Sequence, residues 1–356
     1  CSAALWMVRA VELFGIACVA AVALSACESG GAASNDESTR SRRQDALVRA
    51  KVFRTGFRPE VLAPRPNSPA PVDCRFLFTD VSGTTPKFDC ELADGRRVKV
   101  KYGRTPEISG EIAATRLLTT LGFGADQVRL ASRVRCYGCP VSPFYSRILA
   151  KGTHLETLLR RTTNYAEFRD YEWAAVEEKL DGAAIERGGE EGWAFFELNQ
   201  IDPARGGAAL HEVDALRLMA VFLAHWDNKP RNQRVVCLAP VAPDARCRRP
   251  LVMLQDLGAT FGPRKVNLSA WRDKSVWVDA QGCRVSMESL PHDGATFAEV
   301  TISEQGRRLI ADRLVKLSPE HVRTLFVEAN FPGDVEEWVT VFRQKVDEIN
   351  RRTCES

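Results

Sequence analysis

The sequence predicts an α+β fold in which short strands come first and most helices follow. Residues that alternate between apolar and polar types predict strands at Arg75–Thr79, Phe88–Leu92 and Arg97–Tyr102. The almost continuously apolar stretch Glu212–Ala224 predicts a buried helix, and two amphipathic helices are expected near Ser303–Leu317 and Val335–Ile349. The chain of 356 residues is long enough for one domain of about 280 residues.

The N-terminus has the pattern of an export leader. Leu13–Leu24 is apolar but too short to span a bilayer comfortably, which suits the hydrophobic core of a signal peptide. It runs into Leu24-Ser25-Ala26-Cys27, which resembles a bacterial lipobox and makes Cys27 the expected lipidation site. We therefore expect residues 1–27 to be a lipoprotein signal peptide; a simple secretory signal or a buried helix is the alternative. Polar and Pro-rich composition over residues 28–73 predicts a flexible tether and spacer.

Between the predicted strands lies Val81-Ser82-Gly83-Thr84-Thr85-Pro86-Lys87, in which one glycine and several hydroxyls could cradle a phosphate. An ordinary hairpin turn is the alternative. In the third strand Lys99 and Lys101 share one face, and Val98 and Val100 share the other. A helix is then predicted to begin at about Glu111, to include Leu118 and to end near Gly122.

The most specific pattern is His225-Trp226-Asp227-Asn228-Lys229-Pro230-Arg231-Asn232, followed by Asp256-Leu257-Gly258. The spacing HxDxKPxN and then DxG would arise by accident on the order of once in 10⁴ sequences. Carboxylates, an amide and a lysine at this spacing fit a loop that binds metal and phosphate. The alternative is a helix end with His225 and Trp226 packed inside and a polar surface loop after it.

The eight-residue run resembles the catalytic loop of protein kinases, and Asp256-Leu257-Gly258 resembles their metal-binding triplet. The resemblance implies a two-lobed kinase-like fold, with a small β-rich N-lobe (74–180) and a larger, mainly helical C-lobe (181–350). There is no GxGxxG and no APE-like triplet. The chain is therefore more similar to atypical members of the superfamily, such as secretory-pathway, spore-coat and lipid kinases.

The resemblance also implies roles for individual residues. Asp227 and Lys229 would be catalytic, as the base and as a phosphate contact, and Asn232 and Asp256 would hold Mg²⁺ or Mn²⁺. Lys101, with Lys99 as the alternative, would contact the nucleotide and pair with Glu111, for which Glu107 is the competitor. The remaining expected nucleotide contacts are Ser82, Gly83 and Thr84 in the turn and the backbone near Glu178 and Leu180.

Cysteine usage agrees with export. Eight of the eleven cysteines follow Cys27, and an even set in an exported chain favours disulfides. The expected pairs are Cys74–Cys90, which would clamp the hairpin at the glycine turn, Cys237–Cys247, Cys136–Cys139 and Cys283–Cys354. Zinc bound through Cys136 and Cys139 is the alternative.

Other functions fit the sequence less well. A net charge of +3 without a basic tail does not indicate nucleic-acid binding, and GxSxG, HExxH and Walker-type motifs are absent. The sequence therefore favours an exported, membrane-anchored phosphotransferase that uses ATP or another nucleotide. Its hydroxyl acceptor is a protein, a lipid or a sugar. A kinase-like scaffold that binds nucleotide without turnover, or a structural envelope lipoprotein, is the alternative.

Overall fold

The computed structural model of the chain describes residues 40–65, 69–185, 192–239, 246–263, 265–290 and 293–354. These residues form a mixed helix and strand fold. Cys27 and the rest of the predicted leader lie outside the described residues. Within the described part of the chain, no helix is long and apolar enough to cross a membrane.

Five strands close into a barrel in the order β1-β2-β3-β5-β4, with β1 and β4 parallel and the other neighbours antiparallel. Their bounds are β1 Val72–Leu77, β2 Lys87–Leu92, β3 Arg97–Lys101, β4 Gln127–Tyr137 and β5 Phe168–Glu178. Side chains alternate between the two faces of each strand, and the apolar ones fill the barrel. Phe76, Phe88 and Val100, for example, point inward and are almost fully buried. In β3 this alternation also decides where Lys99 and Lys101 lie, since Val98 and Val100 occupy the inner face.

A larger apolar core lies under the helices. The helices are α1 (40–48), α2 Pro106–Thr120, α3 Pro143–Ala150, α4 His154–Thr162, α5 Leu210–Phe222, α6 Leu268–Asp273, α7 Glu304–Leu314, α8 Pro319–Glu328 and α9 Val335–Asn350. Short 3-10 helices occur at Pro59–Leu62, Phe195–Gln200, Pro203–Arg205 and Pro230–Asn232. Because α5 is apolar on nearly all sides, it is buried by its neighbours and fixes the loop that follows it.

A second sheet carries the two motifs. It has the order β6-β7-β8, with bounds Ala183–Ala184, Gln233–Cys237 and Pro250–Leu254, and all of its pairs are antiparallel. The 225–232 stretch precedes β7 and Asp256 follows β8, so this hairpin holds the two motifs at one end. A small pair, β9 Arg284–Val285 and β10 Val300–Thr301, lies farther along the chain.

The prediction of a flexible tether is wrong for residues 40–62. Ala46, Leu47 and Val52 are buried in the larger core. Backbone hydrogen bonds tie this segment to the rest, including Asp202 N–H to the Val48 carbonyl (2.9 Å) and Arg54 N–H to the Gly122 carbonyl (2.8 Å). Averaging composition over residues 28–73 hid a short stretch whose apolar residues are spaced for burial.

All four expected disulfides are present: Cys74–Cys90, Cys136–Cys139, Cys237–Cys247 and Cys283–Cys354. The sulfur atoms of Cys74, Cys90 and Cys136 lie within 4.8 Å of one another, because β1 and β4 pair side by side at Cys74 and Cys136. Each of these sulfurs is already bonded to another sulfur. The zinc alternative therefore has no free thiolates at Cys136 and Cys139.

Candidate active site

Lys101 lies at the end of β3, between the barrel and the helical part of the chain. Its Nζ is 2.5 Å from Glu111 Oε1, 3.3 Å from Asp256 Oδ1 and 3.6 Å from Glu177 Oε2. Asp256 is 155 residues away in sequence, so the fold brings the strand lysine to the DxG motif. We call Lys101, Glu111, Glu177 and Asp256 the Lys101 cluster.

The position of Glu111, the carboxylate closest to Lys101, follows from where α2 begins. Thr105 caps the helix and Pro106 occupies its first turn. Glu111, one turn beyond Glu107, is buried against Lys101, which is the pairing that the resemblance implied. Glu107, the competitor, instead accepts a hydrogen bond from Thr85 (2.6 Å) and pairs with Lys265 (3.3 Å).

Lys99, the alternative lysine, pairs with Glu177 at 3.2 Å. It is less buried than Lys101, and no contact to Asp256 within salt-bridge distance is among its described interactions. The geometry therefore favours Lys101 as the central lysine of the site and places Lys99 on the far side of Glu177.

The electrostatics of the Lys101 cluster follow from burial and charge pairing. Burial disfavours the Lys101 ammonium, but Glu111, Asp256 and Glu177 outweigh it and raise the pKa of Lys101 well above its usual value. Lys101 in turn lowers the pKa of Asp256 far below that of an ordinary aspartate. Burial raises the pKa of Glu111 to about 7, against the opposite pull of Lys101. The Asp256 carboxylate thus stays ionised, as a metal ligand must be.

Asp256 adopts an unusual backbone conformation directly after β8. Its φ is +50°, a region that non-glycine residues rarely occupy, and its side chain is half-exposed. Gln255 N–H donates to the Asn232 carbonyl at 2.9 Å, which joins the DxG segment to the 225–232 loop. Ala224, at the start of that loop, also has a positive φ of 51°. Strained residues of this kind concentrate at functional sites.

The 225–232 loop presents its polar groups close together. Lys229 Nζ is 2.7 Å from Asp227 Oδ1, and Asn232 Nδ2 donates to the Asp227 carbonyl at 2.6 Å. That hydrogen bond fixes the orientation of the Asn232 amide. Burial lowers the pKa of His225, and the Asp227 and Asp256 carboxylates oppose this. The backbone hydrogen bond from Gln255 to Asn232 joins the 225–232 loop to the DxG segment. The two motifs therefore meet in one region.

Asn228 braces this loop, although no role was predicted for it from the sequence. It is 1% exposed, its Nδ2 donates to the His225 carbonyl (3.0 Å), and its Oδ1 accepts from Thr296 N–H (2.7 Å) and Phe297 N–H (2.8 Å). An asparagine is required for this pattern, because both a donor and an acceptor are used. The only sequence signal was an amide in the middle of the loop.

Ser82, Gly83 and Thr84 form the exposed tip of the turn between β1 and β2, which we call the 78–86 loop. Gly83 has a φ of +84°, and a Cβ built there would lie 3.2 Å from Lys87 Nζ. Lys87 lies opposite Lys101 in the antiparallel register of β2 and β3. Burial and the nearby Lys101 ammonium lower the pKa of Lys87. Lys87, which had no predicted role, therefore places a second ammonium beside the glycine turn.

The expected adenine contacts of the backbone near Glu178 and Leu180 stay a prediction, but one of these backbone groups already has a partner within the protein. The Leu180 N–H donates to Asp126 Oδ1 at 2.8 Å, so it is not available to a nucleotide. The Glu178 side chain pairs with Arg96, whereas its neighbour Glu177 faces the Lys101 cluster. Adjacent residues of a strand point to opposite faces, and the strand register that decides between them was not known from the sequence.

The donor set fits a hard divalent cation. Asp256 supplies a carboxylate and Asn232 an amide oxygen, both oxygen donors of the kind that Mg²⁺ and Mn²⁺ prefer. Among the described residues, the only histidine, cysteine or acidic side chains that bring three ligand atoms within 4.8 Å of one another are the disulfide-bonded Cys74, Cys90 and Cys136. Few protein ligands are expected where phosphate oxygens complete the coordination.

No protein-family model and no curated protein sequence matches the chain. The solved structures that are similar to this chain include two kinases. One is CtkA, a proinflammatory kinase of Helicobacter pylori, with 10% identity, a TM-score of 0.46, and coverage of 80% of this chain and 97% of that chain. The other is the Golgi casein kinase with Mn and ADP bound, with 11% identity, a TM-score of 0.37, and coverage of 79% and 72%. At these scores neither similarity assigns the chain to a family.

Proposed function

We propose that this protein is a kinase-like phosphotransferase that moves the terminal phosphoryl group of ATP, or of another nucleotide, to a hydroxyl group. The observation that carries the proposal is the contact of Lys101 with both Glu111 and Asp256 (2.5 and 3.3 Å). A strand lysine, a helix glutamate and the aspartate of a DxG segment meet at one point, beside a loop that carries Asp227, Lys229 and Asn232. The barrel (74–180) and the helical part (181–350) would be the two lobes.

The residues divide the chemistry between charge neutralisation and proton transfer. Lys101, Lys87 and Lys229 would neutralise phosphate oxygens, which is most of what phosphoryl transfer requires of a protein. The acceptor oxygen forms the new bond to phosphorus while its proton passes to the Asp227 carboxylate. The bond from phosphorus to the bridging oxygen breaks, and its electron pair leaves with the nucleoside diphosphate.

Asp256 and Asn232 would hold Mg²⁺ or Mn²⁺, which would supply further positive charge at the phosphate oxygens. The Asn232 amide is oriented by its hydrogen bond to the Asp227 carbonyl, and Asp256 is kept ionised mainly by Lys101. These two residues are held before any cation binds, because their positions are set by protein contacts.

The decisive experiment follows phosphate from labelled ATP with MnCl₂ present, measuring both nucleoside diphosphate release and label on the protein. Asp256→Ala and Asp227→Asn should each lower the rate by roughly 10²–10³-fold, the range seen when one preorganised electrostatic group is removed. The matched control is Asp273→Ala, which removes an exposed aspartate at the end of α6 and should leave the rate unchanged.

Two outcomes would contradict the proposal. Nucleotide binding by calorimetry without any turnover would support the alternative, a kinase-like binding module. Equal rates in the wild-type protein and in Asp256→Ala would place the chemistry elsewhere.

We also propose that the protein is exported and anchored by a lipid on Cys27. Support comes from the Leu24-Ser25-Ala26-Cys27 pattern and from the disulfides, which are typical of oxidising compartments. Cells labelled with radioactive palmitate should yield labelled wild-type protein and unlabelled Cys27→Ala. Labelling of both would exclude Cys27 as the acylated residue.

A further inference from the structure

A cavity of about 450 Å³ lies outside the Lys101 cluster. Residues 54–65, the C-terminal half of α2 and the start of β4 surround it, together with Glu178 at the end of β5. Glu177, the preceding residue, points into the Lys101 cluster. None of the four residues of the Lys101 cluster is among the residues that line the cavity.

Arginine dominates the lining of this cavity. Two carboxylates, Asp126 and Glu178, line it beside six arginines: Arg54, Arg58, Arg65, Arg96, Arg116 and Arg129. The Asp126 carboxylate already accepts the Leu180 N–H. No tryptophan, tyrosine or phenylalanine is among the described lining residues, so the cavity has no surface on which a nucleobase would stack.

The arginines are not matched one to one by carboxylates. Glu328 pairs with both Arg65 (2.7 Å) and Arg116 (2.9 Å), and Arg58 pairs with Glu60 (2.9 Å). Arg96 pairs with both Glu178 (2.5 Å) and Asp94 (2.8 Å). Among the described residues, no carboxylate lies within 4.0 Å of the guanidinium groups of Arg54 or Arg129. Two of the six arginines, Arg54 and Arg129, are therefore left without an ion pair among the described residues.

Two of the arginines, Arg116 and Arg129, are buried or partly buried, whereas the other four are exposed. Arg116 is 5% exposed, and burial lowers its pKa to about 10 despite the opposing effect of Glu328. Burial also lowers the pKa of Arg129, although Glu178 opposes this. Like charges that are withdrawn from water need counter-charge, and a bound anion would supply it.

We propose that this cavity binds a compact anion that carries two or more phosphate groups. Guanidinium groups bind phosphate oxygens in pairs of parallel hydrogen bonds, and several arginines that converge on one space favour a ligand with several phosphates. The volume is within the range of roughly 300–1,000 Å³ that is typical of small-molecule sites. The binding does not depend on the proposed phosphotransfer.

The ligand would join parts of the chain that are far apart in sequence. Arg54 and Arg58 belong to the segment before β1, Arg116 to α2 and Arg129 to β4. Because α2 also carries Glu111, bound anion would hold the helix that positions the partner of Lys101. Protection of these segments from hydrogen exchange is therefore the natural readout.

The test uses the full chain and sodium tripolyphosphate as the probe. Calorimetry should show binding that the double variant Arg54→Gln/Arg129→Gln weakens by at least about tenfold, since it removes two charge-assisted contacts. The matched control is Arg161→Gln/Arg169→Gln, which removes the same charge from exposed positions of α4 and β5 and should bind as the wild-type protein does. Hydrogen–deuterium exchange should show protection over residues 54–65 and 115–129.

Three outcomes would overturn the proposal. Protection confined to residues 82–101 would mean that the probe binds at the Lys101 cluster instead. Equal affinity of both double variants would mean that Arg54 and Arg129 form no site. Sodium sulfate binding as tightly at equal ionic strength would indicate general attraction of anions. The exchange measurement on wild-type protein decides the question even where the double variant does not fold.

Discussion

The two loops of the candidate active site are held in very different ways. In the 225–232 loop His225 and Asn228 are buried, and the Asn228 side chain hydrogen-bonds on both sides. The tip of the 78–86 loop is exposed, and its side-chain anchors lie at its edges, where Thr85 donates to Glu107 and Asp80 pairs with Arg147. The proposed base and metal ligands thus sit on a rigid support, whereas the proposed phosphate cover is free to adapt.

We expect the largest effect of this difference to be on the free energy of unfolding. Asn228→Ala removes the acceptor of the Thr296 and Phe297 N–H groups, of which the first is partly buried and the second is buried. Because each buried unsatisfied group costs about 1–3 kcal/mol, we expect the free energy of unfolding to fall by roughly 3–5 kcal/mol. Urea denaturation measures the change.

The control for this variant is Asn164→Ala, which removes an exposed asparagine that hydrogen-bonds only locally. Its unfolding free energy should change by no more than about 1 kcal/mol. A similarly small loss in Asn228→Ala would show that the 225–232 loop is not braced by this side chain, and the contrast between the loops would disappear.

The second prediction concerns how the stability of the protein changes at acidic pH. His225 is fully buried, and among the described residues neither of its ring nitrogens has a hydrogen-bond partner. Burial lowers the pKa of His225 to about 4. Between its usual value of about 6.5 and this lower value, the unfolded chain binds a proton that the folded protein does not. Stability is therefore lost as the pH falls from about 6.5 towards 4, by up to about 3 kcal/mol.

His225→Phe should remove that part of the pH dependence, because phenylalanine fills a similar volume and does not titrate. Unfolding free energies at pH 7.5, 5.5 and 4 measure it, and the stability of the variant relative to wild type should rise as the pH falls. The exposed His154 is the control, and His154→Gln should keep the wild-type profile. Identical profiles for wild type and His225→Phe would mean that His225 takes up its proton at the same pH in the folded protein as in the unfolded chain.

The two loops also show what the sequence could and could not predict. The 225–232 motif could be recognised because its residue types stand at fixed spacing in one continuous stretch, and β2 and β3 followed from alternation. Which of Glu177 and Glu178 faces Lys101 depended on the register of β5 against β3, which alternation within one strand does not determine. Lys87 was missed for the same reason, since its place beside Lys101 is a cross-strand contact. The burial of residues 40–62 depends on surfaces that other parts of the chain provide.

The prediction with the smallest expected effect concerns the 78–86 loop. Gly83 has a φ of +84° and an exposed position, so Gly83→Ala should lower the unfolding free energy by only about 1 kcal/mol. Its new methyl group would meet the ammonium of Lys87 (3.2 Å), so under the proposed function the KM for nucleotide should rise several-fold while kcat stays near wild type. Steady-state kinetics over a range of ATP concentrations separates the two constants.

Gly95 provides the matched control for Gly83. It occupies the β2–β3 turn at a φ of +82°, with nothing within 4 Å of a built Cβ. Gly95→Ala should therefore have a similar cost in stability and leave the KM unchanged. If both variants raise the KM alike, the effect is general strain in the barrel, and the 78–86 loop does not cover the phosphates. A rise in Gly83→Ala alone would assign the nucleotide contact to this turn and its lysine, since the two glycines differ in their neighbours and not in their backbone.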